Sequence, residues 1–346
     1  MSDTLTDRPL ATTQEPAFVR VHGLTKHFHV GRGGLFGGGQ KTVRAVDGVC
    51  FAIGKGETLA LVGESGCGKT TVGRLVLRLI EPTDGTVAID NCDIGALDDE
   101  AMRAFRRRIQ IVIQDPFGSL NPRMVVGSII LEPLDVHGVG TPAERRARLA
   151  ELLDLVGLPR DFAGRFPHEL SGGQRQRVGI ARALALETDF LVCDEAVSAL
   201  DVSVQAQIVN LLQSIKKKRR LTYLFISHDL AIVRHVSDRI AVMYLGQIVE
   251  IAPKKTLFDA PAHPYTQALL EAVPRARAGE RPVAAIAGDV PSPVAPPPGC
   301  RFHTRCPHVM DICRQQDPAA RDLGGGHYAA CHLLADKPVV DQRMPE

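Results

Sequence analysis

The stretch GESGCGKT, residues 63–70, limits what this chain can fold into more than any other part of its sequence. It matches the pattern G-x4-G-K-[ST], follows the apolar run TLALVG, and leads into KTTVGRLVLRLI, which has one apolar helical face. Glycines in such a turn let backbone N–H groups point inward around phosphate oxygens, and the N-terminus of the next helix adds positive potential. The pattern therefore predicts a buried strand, a phosphate-binding loop and a helix, in that order.

The predicted loop assigns roles to its side chains. Lys69 is expected to reach the β- and γ-phosphates of a nucleoside triphosphate, and Thr70 to ligate Mg²⁺. The other predicted nucleotide contacts are Gly63, Glu64, Ser65, Gly66, Cys67, Gly68 and Thr71. An ordinary glycine-rich turn is the alternative, and the strand before the loop and the helix after it argue against that alternative.

An acidic pair closes a second apolar run, FLVCDE at residues 190–195. Asp194 is expected to hold the Mg²⁺ shell, and Glu195 to polarise an attacking water. Strands that end in carboxylates are common, so this assignment depends on the phosphate-binding loop. Together the two motifs predict hydrolysis of a nucleoside triphosphate.

A second glycine-rich sequence is LSGGQ at residues 170–174. Ser171 is expected to cap a helix, and Gly172 and Gly173 leave its N-terminal amides bare, which makes a second anion site. Gln174 completes this set of predicted nucleotide contacts. One nucleotide does not obviously need both sites in one chain. We therefore expect a dimer in which the nucleotide lies between one subunit's phosphate loop and the other's LSGGQ. A plain glycine-started helix is the alternative.

Charge and hydropathy exclude several classes of protein. The chain has 346 residues and a formal net charge of +2, which favours no polyanionic partner, and we expect no nucleic-acid binding. The N-terminus lacks the basic and then apolar pattern of a signal peptide, and no apolar run approaches the ~18 residues of a membrane span. The basic run KKKRR at 216–220 is expected to end a helix in solvent. These features predict a soluble cytosolic protein, in which thiols stay reduced.

Six motifs occur together and in order within residues 18–275: GESGCGKTT, IVIQDP, LSGGQRQRV, FLVCDE, SALD and FISHD. In this combination the chain resembles the nucleotide-binding subunits of ATP-binding cassette (ABC) transporters. The resemblance implies an α/β P-loop NTPase fold of the ABC type, with an antiparallel β subdomain, a helical subdomain and a small cysteine-rich C-terminal region. It also implies ATP and Mg²⁺ as cofactors and ATP hydrolysis as the activity.

The same resemblance implies roles for four further residues. Gln114 would contact Mg²⁺ and the transmembrane partner, and His228 would grip the γ-phosphate. Asp201, in SALD, would cross the dimer, and Phe28 is the best match for an aromatic residue that stacks on adenine. His228 could instead cap the next helix, and Phe28 could lie in the core. One departure from the family is that many members read DEPTSALD where this chain reads DEAVSALD.

The sequence also divides into predicted regions. These are a disordered leader at 1–16, an ABC ATPase domain at 17–255 with a helical subdomain at about 120–185, an extension and proline-rich linker at 256–299, a cysteine-rich region at 300–335 and a tail at 336–346. GRGGLFGGGQK, between two predicted strands, is expected to be a mobile loop. Within the helical part, Thr141 and Glu144 predict a capping box, with Pro142 in the first turn. The apolar segment 117–134 is predicted to contact a membrane permease; a buried helix is the alternative.

Three segments narrow the resemblance: QDPFGSLNPRM (114–124), HPYTQALL (263–270) and the cysteine tail are similar to the oligopeptide and dipeptide importers. This branch implies an ATP-hydrolysing subunit that powers peptide import and pairs with a second ATPase subunit, expected as a heterodimer. Two transmembrane permeases and an extracytoplasmic peptide-binding protein would complete the complex, with this chain peripheral on the cytoplasmic face of the membrane. The alternatives are a soluble ABC ATPase in DNA repair or translation, a metal-sensing regulator, and an importer ATPase for nickel or another small solute.

Half of the eight cysteines lie near the C-terminus: Cys300, Cys306, Cys313 and Cys331. Their spacing lacks the short C-x2–4-C pairs of zinc ribbons, while a larger cluster takes ligands from further apart. The resemblance to importer ATPases implies a [4Fe–4S] cluster in some members, so we rank that cluster first, Zn²⁺ second and no metal third. A zinc site with both cysteine and histidine ligands is also possible, because four histidines lie nearby: His303, His308, His327 and His332. The expected role is structural, clamping the tail against the cassette or its partner.

Overall fold

A computed structural model describes residues 17–30, 41–272 and 288–340, except for the side chains of residues 116 and 117. The predicted leader at 1–16, nearly all of the predicted mobile loop, part of the predicted linker and the last six residues of the tail lie outside the described residues. The strands are β1 Val19–Val30, β2 Lys41–Ile53, β3 Thr58–Val62, β4 Asp84–Ile89, β5 Cys92–Asp93, β6 Ile109–Val112, β7 Phe190–Asp194, β8 Thr222–Ile226, β9 Arg239–Tyr244, β10 Gln247–Pro253, β11 Ala320–Asp322 and β12 Tyr328–Ala330. The helices are α1 Lys69–Val76, α2 Asp99–Phe105, α3 Pro116–Ser119, α4 Val126–Val136, α5 Pro142–Val156, α6 Gly172–Ala183, α7 Val202–Arg219, α8 Leu230–Val236, α9 Lys254–Asp259 and α10 Pro264–Glu271.

The strands form two sheets. The larger has the order β11-β12-β10-β9-β3-β8-β7-β6, and the smaller, which is antiparallel, has the order β2-β1-β4-β5. Within the larger sheet, β9, β3, β8, β7 and β6 are parallel, whereas β10, β12 and β11 pair antiparallel. Every residue of β3, β7 and β8 is buried. A parallel sheet covered on both faces needs such continuous apolar strands, which explains why these runs stand out in the sequence.

The parallel arrangement brings the predicted motifs to one edge of the larger sheet. β3 leads into the phosphate loop, β7 ends in Asp194, and β8 pairs with both strands through Ile226. β6 lies beside β7, with Val112 opposite Cys193. Because ligands of open α/β sheets bind outside the carboxyl ends of the strands, this edge is the candidate site.

The helical segment contains α4, α5 and α6. The Thr141 hydroxyl accepts a hydrogen bond from the Glu144 amide, and the Glu144 carboxylate accepts one from the Thr141 amide, so the predicted capping box is confirmed. The apolar face of α4 is buried, and residues 121–123 before it are exposed. The alternative of a buried helix is therefore right for Val126, Ile129, Ile130 and Leu134. The exposed turn at 121–123 is one part of segment 117–134 that is open to a partner.

Two further expectations concern helix ends and membrane spans. The basic run 216–220 does end a helix, because α7 carries basic residues through its last turn and Arg220 follows with a φ of 52°. α1 ends at Val76, earlier than its apolar face suggested, and Arg78 has a φ of 48°, which breaks the helical path. Among the helices of the described residues, none has both the length and the apolar character needed to cross a membrane.

The C-terminal region joins the larger sheet. β12 pairs with β10, with Ala329 opposite Glu250 and Tyr328 opposite Ile251, and β11 pairs with β12. The buried carboxylate of Glu250 lies 2.8 Å from His327 Nε2. Burial raises the pKa of Glu250, but hydrogen bonds from His327 and from two backbone amides outweigh it and lower the pKa below its usual value. The segment that contains β11 and β12 is thus built into the cassette rather than appended to it.

Candidate nucleotide-binding site

The phosphate loop, residues 63–68, is packed too closely for side chains at two of its glycines. Gly63 has a φ of +154°, and a Cβ there would lie 2.2 Å from the Met243 carbonyl oxygen. Gly68 has a φ of +110°, and its Cβ would lie 2.2 Å from the Ala45 carbonyl oxygen. Both positions therefore require glycine, and the loop is held between β9 and β2 in a conformation suited to a phosphate cradle.

Lys69 is buried at the centre of this loop. Its Nζ donates hydrogen bonds to the carbonyl oxygens of Gly63 and Glu64, at 2.8 and 2.9 Å. The Cys67 thiol lies 3.8 Å from the same nitrogen, and burial raises the pKa of that thiol, which keeps it protonated. A single cation inside a ring of backbone groups is an arrangement suited to phosphate oxygens.

Thr70 and Asp194 face each other across the strand ends. The Thr70 hydroxyl donates to Asp194 Oδ1 at 3.0 Å. Burial raises the pKa of Asp194, and the neighbouring charge of Glu195 adds to this effect. A hydroxyl and a carboxylate are ligands that Mg²⁺ accepts, so these two residues fit the predicted metal.

Glu195 is held in an unusual backbone conformation. Its φ is 47°, which non-glycine residues seldom adopt, and its amide donates to the Ile226 carbonyl at 3.0 Å. Glu195 Oε1 lies 3.3 Å from Nδ1 of His228, whose side chain is 56% exposed. Asp229, not His228, caps α8, because its carboxylate accepts hydrogen bonds from the α8 amides of residues 231 and 232. The alternative that His228 is merely a helix cap is therefore wrong.

Two other predicted residues lie at exposed positions. Gln114 follows β6, next to the strand that ends in Asp194, and its side chain is exposed. Phe28 is 37% exposed on β1, with Lys26 Nζ 5.3 Å from its ring centroid. Phe28 is thus not a core residue, and its ring has an open face that could stack on a base.

The LSGGQ segment forms the start of α6, and two of its own side chains cap this helix. The Ser171 hydroxyl accepts from the Gln174 amide at 3.3 Å, and the Gln174 side chain accepts from the Ser171 amide at 2.9 Å. A Cβ at Gly173 would lie 2.4 Å from Val204 Cγ1, so part of the need for glycine is internal packing. Within the described residues, no hydrogen bond or ion pair joins this segment to the phosphate loop of the same chain.

The start of α7 lies against this segment and is open to solvent. Asp201 is exposed and makes no side-chain cap to α7, and Val202 is 81% exposed. The preceding residues Ala196 and Val197 are buried in the core. Burial gives a physical account of the departure from DEPTSALD, because two apolar side chains suit that position.

The cysteine tail does not support the predicted metal site. Among residues 17–30, 41–272 and 288–340, no group of three or more His, Cys, Asp or Glu side chains is arranged to hold a metal ion. Burial, with smaller contributions from Cys313, Cys331 and Cys306, raises the pKa of the Cys300 thiol to about 11. The Cys300 amide donates to the Cys313 carbonyl at 2.9 Å, so these two residues are neighbours in the fold. Three of the histidines have other partners: His303 at the Cys300 carbonyl, His327 at Glu250 and His332 at the Gln316 carbonyl. Mixed zinc ligation through them is not supported.

Sequence reasoning missed two residues beside the phosphate loop. The Tyr265 hydroxyl accepts from the Glu64 amide at 2.9 Å, and Arg305 makes two hydrogen bonds to the Glu64 carboxylate. Tyr265 lies in HPYTQALL and Arg305 lies in the cysteine tail, two segments that carry the resemblance to the peptide importers. Nothing in the local sequence ties either of them to a loop some 200 residues earlier.

Comparison with known proteins agrees with this geometry. Residues 46–198 match the family model for "ABC transporter", and residues 249–313 match that for "Oligopeptide/dipeptide transporter, C-terminal region". The oligopeptide transport ATP-binding protein AppF of Bacillus subtilis is 50% identical over 94% of this chain and all of its own length. A putative peptide import ATP-binding protein of Brucella ovis is 51% identical over 92% of this chain and 98% of its own.

A solved structure extends the comparison to the fold. The ATP-binding cassette MJ0796, in a dimeric post-hydrolysis state bound to ADP and Pi, has a TM-score of 0.61 and 31% sequence identity to this chain. The match covers 68% of this chain and 98% of that one. The chain therefore belongs to the ATP-binding proteins of ABC transporters, in the group that carries the oligopeptide/dipeptide transporter C-terminal region.

Proposed function

We propose that this chain is the ATP-hydrolysing subunit that powers the import of di- or oligopeptides through a membrane transporter. The observation that carries the proposal is the meeting of Lys69, the Thr70–Asp194 pair and the Glu195–His228 pair at one sheet edge. The cargo is proposed from the relatives, which are named for oligopeptide transport and peptide import. These names do not favour a soluble ABC ATPase of DNA repair or translation.

The proposed chemistry divides between the residues of the site. Lys69 and the loop amides bind the phosphates, and Phe28 stacks on adenine. Mg²⁺ bound by Thr70 and Asp194, with Gln114 nearby, would neutralise the phosphate charge. Glu195 orients the attacking water and accepts its proton, while His228 contacts the γ-phosphate. The hydrogen bond between Glu195 and His228 would hold both side chains in place for these roles.

The proposed assembly is a dimer of ATPase subunits. Ser171, Gly172, Gly173 and Gln174 would bind the γ-phosphate held by the opposite subunit's loop, with Asp201 crossing the interface. The open surface around Asp201 and Val202 supports this role. The second subunit is expected to be a different chain, so the pair would be a heterodimer. Two permeases and an extracytoplasmic peptide-binding protein would complete the transporter, and this chain would lie on the cytoplasmic face of the membrane.

The proposed route of coupling runs through Gln114 and the exposed turn at residues 121–123. Both follow β6 on the side of the helical segment, and the turn consists of three consecutive exposed residues. A photo-crosslinker at Asn121 is expected to capture a permease. Cross-links that form consistently from other surfaces, with none from this turn, would contradict the route.

The decisive experiment is transport by the purified complex in proteoliposomes. Peptide uptake should require ATP and the peptide-binding protein, and Lys69→Ala should abolish both uptake and hydrolysis. Nickel and free amino acids are the control cargoes. Uptake of Ni²⁺ without uptake of peptide would overturn the peptide assignment while leaving the ATPase assignment intact.

The metal in the tail stays a prediction that the experiment must decide. The [4Fe–4S] cluster is proposed from the number and spacing of the four cysteines alone, because no group of three or more His, Cys, Asp or Glu side chains among the described residues is arranged to hold a metal ion. Anaerobic purification from iron-replete cells should give about four irons per chain. Colourless protein with stoichiometric zinc would reverse the ranking, and metal-free protein with full activity would remove the metal altogether.

A further inference from the structure

The C-terminal region contacts the phosphate loop at Glu64, whose side chain has no part in the proposed chemistry. Arg305 Nη1 donates to Glu64 Oε2 at 2.6 Å, and Nη2 donates to Oε1 at 3.0 Å. Only 4% of the Arg305 side chain is exposed, against 25% for Glu64. A bidentate ion pair of this kind fixes the orientation of both groups as well as their separation. The loop is therefore held from outside by the last part of the chain.

A second contact holds the backbone of the same residue. The Glu64 amide donates to the Tyr265 hydroxyl at 2.9 Å, and Tyr265 is fully buried. Its ring lies 4.7 Å from that of Tyr244 and 5.3 Å from that of Phe302. Phe302 belongs to the same tail segment as Arg305. A packed aromatic block formed by β9, α10 and the tail thus supports both contacts to Glu64.

Glu64 in turn positions the groups that grip phosphate. Its carbonyl accepts hydrogen bonds from Lys69 Nζ at 2.9 Å and from the Cys67 amide at 3.3 Å. A shift of Glu64 would therefore move the lysine and one turn of the loop together. Displacements of about 1 Å at reacting groups can lower rates by roughly 10²-fold, so the position of Glu64 matters for ATP turnover.

We propose that Arg305 and Tyr265 are positioning residues for ATP hydrolysis, which hold Glu64 so that the phosphate loop and Lys69 keep the geometry that binds the nucleotide. The C-terminal region is then part of the ATPase machinery, and not only a structural attachment as the sequence suggested. This inference rests on the ATPase activity of the chain and does not depend on the nature of the cargo.

The first test compares variants of Arg305 in the assembled transporter. Arg305→Met keeps much of the apolar stem of the side chain but removes the guanidinium group, and kcat/KM for ATP should fall by about tenfold. Arg305→Lys keeps the charge but cannot form the bidentate ion pair, and it should give an intermediate loss of kcat/KM. Arg314→Met, at an exposed position of the same tail, is the matched control and should stay within about twofold of the parent.

A double-mutant cycle separates positioning from loss of stability. Once Glu64→Gln has removed the charged partner, Arg305→Met should cause little further loss of kcat/KM, because the two substitutions break the same contact. A general loss of folded protein would instead make the two effects multiply. If Arg305→Met fails to fold, Tyr265→Phe removes one hydroxyl from the same support and should lower kcat/KM several-fold, by about the contribution of one hydrogen bond.

Equilibrium binding of a fluorescent ATP analogue gives a readout that does not need turnover. Its Kd should weaken in Arg305→Met and Tyr265→Phe, and stay unchanged in Arg314→Met. Absence of hydrolysis in the parent complex would contradict the proposed function, and the binding measurements would still judge the positioning role. Unchanged Kd and unchanged kcat/KM in both variants would overturn the inference.

Discussion

The two glycine-rich anion sites of this chain differ in how much of their surroundings the chain itself supplies. The phosphate loop is wedged between two strands, contains the buried Lys69, and is supported from α10 and the tail. The LSGGQ segment has a capped helix start and a glycine packed on Val204, but its neighbours Asp201 and Val202 face solvent. One site is enclosed by its own chain and the other is open.

This difference indicates at which site one chain can bind nucleotide and at which site a partner subunit is needed. The enclosed site can bind nucleotide within one subunit, because the contacts that hold its loop and Lys69 all come from the same chain, and the partner's LSGGQ would complete it at the γ-phosphate. An open helix start gives positive potential but no enclosure, and it gains affinity for phosphate only when another surface excludes water. Variants that act on one site and spare the other test this difference.

The largest expected effect belongs to Glu195, in the enclosed site. Glu195→Gln keeps the shape of the side chain but removes its basicity, so hydrolysis should fall by about 10²-fold or more in the assembled transporter. Nucleotide affinity should change little, because the phosphate contacts remain. Hydrolysis close to the parent rate would mean that another group activates water.

The stability of the fold should depend on pH through His263, which lies at the start of the helix that supports the phosphate loop. His263 caps α10, its Nδ1 accepting from the Tyr265 amide at 3.0 Å, and burial lowers the pKa of His263 from 6.5 to about 4. The unfolded chain therefore binds a proton between these values that the folded chain does not. Stability should fall as the pH drops from about 6.5 towards 4, by up to about 3 kcal/mol.

Thermal unfolding between pH 7 and pH 4.5 measures this effect. His263→Asn can still cap a helix but does not titrate, and it should flatten the dependence on pH. Glu250 lies close to His263, and its lowered pKa adds a loss of stability only below its ordinary value of 4.5, outside this range. An equal slope in the parent and in His263→Asn would assign the pH dependence to another group.

The next effect concerns the open site. Ser171→Arg places a bulky side chain where a partner would close, so ATP-driven dimerisation and hydrolysis should fall by at least about tenfold. Nucleotide affinity should be spared, because Lys69 lies in the other site. Ser171→Ala removes the helix cap, worth about 1 kcal/mol, and one proposed phosphate contact without adding bulk, so it should cause a smaller loss than Ser171→Arg. Loss of nucleotide affinity together with dimerisation would show that LSGGQ acts within its own subunit.

The smallest effect tests the internal packing of the open site. Alanine is a better helix former than glycine, but a Cβ at Gly173 would press on Val204 Cγ1. We expect Gly173→Ala to destabilise the fold by about 1 kcal/mol, and Gly173→Ala with Val204→Ala to recover part of that loss. If stability is unchanged while dimerisation fails, the glycine serves the partner rather than the packing.

The sequence was sufficient for residues whose placement depends on local backbone. The positions of Gly63, Lys69 and Thr70 could be predicted because a strand, a glycine-rich turn and a helix fix their geometry within a few residues, and their contacts to nucleotide stay predictions. Ser171 and Thr141 could be assigned as helix caps for the same reason, and both are caps in the structure.

Long-range pairing could not be predicted in this way. Arg305 and Glu64 are 241 residues apart, and no periodicity links them. β11 and β12 have three residues each, too few to show alternation, and their place in the larger sheet depends on β10. The cysteines were noticeable as a cluster, but their spacing alone could not decide which ligands meet.

The pairing of β12 with β10 also determines where this chain can be cut. Without the C-terminal region, β10 would become an edge strand with unpaired backbone groups, and Glu250 would lose the hydrogen bond to His327. An exposed apolar edge is a template for intermolecular strand addition, and a buried carboxylate without its partner weakens the strand that carries it. A cassette truncated after β10 should therefore aggregate, and hybrid proteins should exchange the cassette and its C-terminal region as one piece.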